Sequence, residues 1–108
     1  MSMQTAKHRV LVVEDELIVA RDIGLQLTEL GYSLAGTART GEQALELAAE
    51  LRPDLVLMDI QLAGDMDGIA AARLIRANCS VPVVFLTAFA ADDVLERAKL
   101  TEPFGYIL

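Results

Sequence analysis

Glu14 and Asp15 stand directly after the apolar run at 10–13, Asp59 follows the apolar run at 55–58, and Thr87 follows the run at 83–86. If the three runs lie side by side, three carboxylates and a hydroxyl converge on one edge. Carboxylates held that close repel one another, so they must either keep a proton at raised pKa or share a cation. Hard oxygen donors suit Mg²⁺ or Mn²⁺, and Mg²⁺ is usually held by one or two protein carboxylates, with waters and phosphate oxygens completing its shell. A carboxylate can also attack phosphorus, provided the repulsion between its oxygens and the phosphoryl oxygens is neutralised. Taken singly, each residue has a plainer reading. An acidic pair after a strand is commonly a solvated loop or a charge at a helix N-terminus, and threonine suits a strand edge. Only the joint placement points to chemistry.

Positioning them requires parallel strands, and the chain is written that way. The short β-branched run at 10–13 reads as a buried strand meeting the acidic loop at 14–16. The period then changes: Ala20, Ile23, Gly24, Leu27 and Leu30 recur at steps of three and four, and Gly31 sits where a helix C-cap belongs, which predicts a helix over 16–30. The unit repeats as a strand over 33–37, an N-cap at Thr40 and a helix over 42–51 ended by Arg52-Pro53. A strand over 55–58, a Gly- and Asp-rich loop and a helix over 68–77 come next. They are followed by a strand over 83–86, a helix over 91–100 and a strand over 105–108. Continuous apolar strands alternating with helices of about ten residues predict an open α/β parallel sheet with helices on both faces. In such sheets ligands bind beyond the carboxyl ends of the strands, where the strand order reverses.

The 108 residues are expected to form a single domain over 1–108, and 54% apolar residues are ample for its core. A net charge of −7 argues against direct binding of nucleic acid, whose phosphates need concentrated Lys and Arg. DNA binding would need another domain. The longest uncharged apolar stretch, at 81–91, contains Pro82 and falls short of the roughly 20 residues a membrane span takes. The apolar run after Lys7 and His8 is shorter than a signal-peptide core of roughly 7 to 15 residues, so a cytoplasmic location is expected. Cys79 is the only cysteine and reads as free and structural. His8, the only histidine, reads as an exposed residue before the first strand and not as a phosphodonor.

The order Val-Val-Glu-Asp-Glu at 12–16, Leu-Met-Asp-Ile at 57–60, Asp67-Gly68 opening a helix, Leu-Thr-Ala at 86–88 and Phe-Gly-Tyr-Ile-Leu at 104–108 resembles the receiver domain of bacterial and archaeal response regulators. No one of these motifs is specific, but the ordered set is, and it covers essentially the whole chain. The resemblance implies a five-stranded sheet in the flavodoxin-like order 2-1-3-4-5. It implies a module of a two-component phosphorelay, a signalling switch and not an enzyme beyond self-catalysed phosphorylation and dephosphorylation. Asp59 would be the phosphoacceptor, Asp15 a direct Mg²⁺ ligand, and Glu14 an acid holding a cation-bound water. The backbone carbonyl of Gln61 would complete the protein ligands. Thr87 would hydrogen-bond the phosphoryl oxygens, and Tyr106 would be the aromatic that turns inward with it. The donor would be a histidine kinase or phosphotransfer protein. The added charge of about −1.5 to −2 would rearrange the face of the fourth helix and fifth strand, which binds the next partner.

Two departures accompany the resemblance. The family places Lys-Pro after the fifth strand and then a fifth helix beside the first. Leu108 falls one residue before that lysine, so the natural protein is expected to continue, and the chain as given is expected to expose the apolar edge of the first helix and one face of the sheet, and so to self-associate or be poorly stable. In the loop at 61–67, Ala63 stands where proline is usual, with one extra residue between Asp59 and Gly68. Asp65 and Asp67 there read as a solvated turn and a helix N-terminal acid. Three alternatives are weighed against the receiver. A haloacid-dehalogenase-type phosphatase would want an acid where Gln61 stands, and a flavin carrier would want a Ser/Thr-rich loop at 14–16. A receiver-like scaffold that takes no phosphate is disfavoured by the joint presence of Asp15, Asp59 and Thr87.

Overall fold

A computed structural model describes residues 8–62, 64–86 and 105–107. The elements run β1 (Arg9–Val13), α1 (Leu17–Glu29), β2 (Ser33–Ala38), α2 (Gly41–Leu51), β3 (Leu55–Asp59), α3 (Gly68–Cys79), β4 (Val83–Leu86) and β5 (Gly105–Ile107). All pairings are parallel, and the strands lie in the order β2-β1-β3-β4-β5. The α/β sheet and the 2-1-3-4-5 order are therefore both as expected. The helix predicted over 91–100 lies outside the described residues.

The continuous apolar strands divide their side chains between two cores, because successive residues of a strand face opposite ways. Leu11 and Val13 of β1, Val56 and Met58 of β3, and Val83 and Phe85 of β4 face α2 and α3, joining Ala44, Ala48, Ile69, Ala72 and Ile75. Val10, Val12 and Leu57 face α1, joining Ala20 and Leu27, with Ile23, Leu55, Val84 and Leu86 at the margin. A strand that must be apolar on both faces cannot alternate with polar residues, hence the unbroken runs in the sequence.

Local chemistry sets the helix ends. The Thr40 hydroxyl accepts from the Gln43 N–H at 3.1 Å to cap α2, and Gln43 Oε1 returns to the Arg39 N–H at 2.8 Å. Gly31, at φ +96°, ends α1 while the Tyr32 N–H donates to the Leu27 carbonyl at 2.9 Å. Helix α3 runs two residues beyond the expected 77, because Ser80 takes the left-handed conformation at φ 54° that closes it. Arg52 does the same for α2 at φ 49°, immediately before Pro53.

Candidate functional site

The strand order reverses at β1, which has β2 on one side and β3 on the other. Val13 of β1 lies opposite Met58 of β3, so the next residue of each strand, Glu14 and Asp59, emerges beside the other at the carboxyl edge. The Glu14 N–H donates to the Ala38 carbonyl at 2.9 Å, which extends the β1–β2 ladder by one residue and holds Glu14 only 6% exposed. Asp59 is the last residue of β3 and lies opposite Leu86 of β4. One carboxylate oxygen from each of Glu14, Asp15 and Asp59 lies within 4.8 Å of the others, and the last two residues are half-buried.

Backbone donors aim the acids. Glu14 Oε2 accepts the Glu16 N–H at 3.1 Å, and Asp59 Oδ1 accepts the Gln61 N–H at 3.2 Å. These bonds only partly offset the crowding. Burial, above all, pushes the Glu14 carboxyl from its ordinary 4.5 up to about 7, and the negative charge of Asp59 adds to the rise. Burial raises Asp59 too, and Asp15's charge adds to it, against hydrogen bonds from the Gln61 N–H and from Glu14 that lower it. Glu14 therefore holds its proton up to about pH 7, and its hydrogen bond with Asp59 raises Glu14 while lowering Asp59. Among the described residues no Lys or Arg side chain forms an ion pair with any of the three carboxylates, although Arg39 Nη2 donates to the Asp15 backbone carbonyl at 3.4 Å. A cluster of oxygen donors with no ion-paired cation among the described residues fits a small divalent cation.

The start of α3 presses on the same strand end. A Cβ on Gly68 would lie 1.9 Å from the Asp59 carbonyl oxygen, so no other residue fits without moving the backbone of the candidate nucleophile. Its N–H donates to the Ile60 carbonyl at 2.7 Å. Asp67 caps α3 by accepting the Ala70 N–H at 2.9 Å, while Asp65 is exposed, in keeping with the turn reading of that loop.

The residues singled out in the sequence fall as follows. Glu14, Asp15 and Asp59 come together, and Gln61 is exposed with its N–H on Asp59. Thr87 follows Leu86, which lies opposite Asp59, but Thr87 itself lies outside the described residues. Tyr106 sits on edge strand β5 opposite Phe85, and its side chain also lies outside what is described. His8 is exposed, 3.9 Å from Asp54 and away from the acids. Sequence reasoning missed the parts played by Gly68 and by the Ala38 carbonyl. The signal for Gly68 was available: a glycine directly after a capping Asp, where most residues would make a better helix start.

Residues 10–108 match the family model for the response regulator receiver domain. The chain is 41% identical over 101 residues to the transcriptional regulatory protein PdtaR of Mycobacterium tuberculosis, a match covering 94% of this chain and 49% of that protein. It is 44% identical over 86 residues to the DNA-binding response regulator MtrA of the same organism, covering 80% of this chain and 37% of MtrA. It thus spans about half or less of the length of these relatives. The signal receiver domain of a modulated diguanylate cyclase from Desulfovibrio desulfuricans superposes with a TM-score of 0.88 at 40% identity, covering 94% of this chain and 80% of that one. With the reversed strand order, the acid edge and these matches agreeing, the chain belongs to the response regulator receiver domain family.

Proposed function

We propose that this chain is a phosphoacceptor switch: Asp59 takes a phosphoryl group from a phosphohistidine of a kinase or phosphotransfer protein, and the new charge alters a partner-binding surface. The observation that carries the reading is the acid cluster itself, in which burial and mutual charge push the Glu14 and Asp59 carboxyls above their ordinary values. Nothing in the apolar core needs three acids at that edge. A receiver domain is a regulatory switch, and what it regulates lies with the partners that read it.

Glu14, Asp15 and Asp59, with the Gln61 carbonyl, would hold Mg²⁺ or Mn²⁺, which when bound supplies the positive charge that lets an anionic nucleophile meet an anionic phosphoryl group. Asp59 attacks phosphorus with a carboxylate oxygen. The O–P bond forms as the N–P bond to the donor imidazole breaks, and the imidazole leaves with its electron pair. The Gln61 N–H on Oδ1 orients the carboxylate, and Gly68 leaves its backbone no room to retreat toward α3. Thr87 would hydrogen-bond the transferred oxygens, and Tyr106 would follow it, carrying the change to β4 and β5. The domain would span 1–108 and work in the cytoplasm.

The test is intact mass after incubation with acetyl phosphate, with and without Mg²⁺, on this chain and on Asp59→Asn. One phosphoryl adduct that needs Mg²⁺ and disappears in the variant is the expected result. An adduct that appears only when the chain is extended through the expected Lys-Pro and fifth helix would trace its absence here to the lysine, and no adduct in either version would overturn the reading in favour of a scaffold that takes no phosphate.

A further inference from the structure

The loop between β3 and α3 is pinned at both ends beside the acids, by the Gln61 N–H on Asp59 and by the Gly68 N–H on Ile60. Between these points it leans on a different element. A Cβ added to Gly41 would lie 2.9 Å from Cγ and Sδ of Met66 and 3.0 Å from its Cβ, so Met66 fills the space that any side chain at 41 would take. Met66 is half-buried and packs against the core between the sheet and the α2–α3 pair. Nothing in Gly41's own backbone asks for glycine. It is the first residue of α2 and lacks a positive φ, so its conformation is open to alanine. What the missing side chain makes room for is the loop.

The α2 corner reaches the other half of the pocket. It follows Ala38, whose carbonyl receives the Glu14 N–H, and Arg39 Nη2 approaches the Asp15 carbonyl at 3.4 Å. Glu42 and Thr40 border Gly64 of the same loop, 3.8 and 4.0 Å from where its Cβ would stand. A chain of contacts thus runs from the loop carrying Gln61 to the backbone of both β1 acids, outside the carboxylates themselves.

We propose that Met66, seated in the Gly41 notch, is a positioning residue that holds the β3 side and the β1 side of the acid pocket at the spacing a small octahedral cation requires. The inference rests on the cation reading of the pocket given above. Mg²⁺ accepts little departure from about 2.0–2.1 Å octahedral geometry, whereas Ca²⁺ adapts over 2.3–2.6 Å, so a loosened pocket should lose Mg²⁺ first.

Calorimetric Mg²⁺ and Ca²⁺ affinities and cation-free melting temperatures of the 108-residue chain test this. Gly41→Ala and Met66→Ala should each weaken Mg²⁺ binding on the order of tenfold, the low end for losing groups that orient ligands. Ca²⁺ affinity should change less than about threefold. The double variant should be no worse than the weaker single one, because both act through one contact. Met66→Leu, of similar volume, should stay within about twofold of the parent chain. Unchanged Mg²⁺ affinity in the variants, or equal loss of both cations in step with melting temperature, would overturn the latch while leaving the pocket. A parent chain that binds no Mg²⁺ at millimolar concentration would overturn the cation reading and the latch with it.

Discussion

Taking the proton from Glu14 leaves two buried-edge carboxylates facing each other at the ends of β1 and β3, and the chain's response to pH follows from that. Glu14's pKa is raised from 4.5 to about 7, so between those values the folded chain binds more protons than the unfolded one. Stability therefore falls as pH rises. The contribution is present in full below about 4.5 and gone above about 7, and Asp59 shifts in the same direction. A divalent cation replaces the proton and reverses the trend. Melting temperature without Mg²⁺ should drop between about pH 5 and pH 8, and the rise given by saturating Mg²⁺ should grow over that window. A melting temperature flat in pH, with an equal Mg²⁺ effect throughout, would show that Glu14 is not the group titrating. Glu14 and Asp59 were legible in the sequence because an acid ending an apolar strand stands out. Gly68 was legible only as a helix opener, because its closeness to Asp59 is a contact made across the whole loop.

At the scale of elements, the end of the sheet opposite the acids is tied by Arg9. Its Nη1 donates to the Leu51 carbonyl at 2.6 Å and to the Arg52 carbonyl at 3.3 Å, placing a cation on the last turn of α2. Its backbone N–H donates to Asp54 Oδ2 at 2.7 Å, so one residue joins the start of β1 to the turn entering β3. Arg9→Ala should cost about 1–2 kcal/mol in urea unfolding, the range for losing charge-assisted bonds at a partly exposed site. Mg²⁺ affinity should not change, since Arg9 opens β1 while the acids follow its far end. A loss of Mg²⁺ binding would mean that the two ends of the sheet are coupled. Caps at Thr40 and Gly31 could be read from sequence because they depend on residues a few positions away. The left-handed closures at Arg52 and Ser80 could not, because neither residue favours that conformation by itself.

On the whole molecule, apolar side chains lie open along α1 and its exit. Ile18 is 85% exposed and Leu25, two turns on, is 59% exposed, with Leu17 and Leu30 nearby. The 108-residue chain should self-associate with rising concentration in sedimentation velocity, and Ile18→Lys/Leu25→Lys should shift it toward monomer without altering Mg²⁺ affinity. A parent chain that stays monomeric throughout would refute this. Periodicity, the helix ends at Thr40 and Gly31 and the acids at strand termini were fixed locally, and the sequence alone therefore determined which elements form and which residues stand at the strands' carboxyl ends. The strand order came from the family resemblance and not from any pattern, because β1 and β3 pair across a separation that no local signal spans. Only the tertiary structure decided that Glu14 is buried, that its proton is held to about 7, and that glycines at 41 and 68 make room for Met66 and for the Asp59 backbone. Each of these depends on atoms brought together from different elements, and desolvation and close approach exist only once those elements are packed.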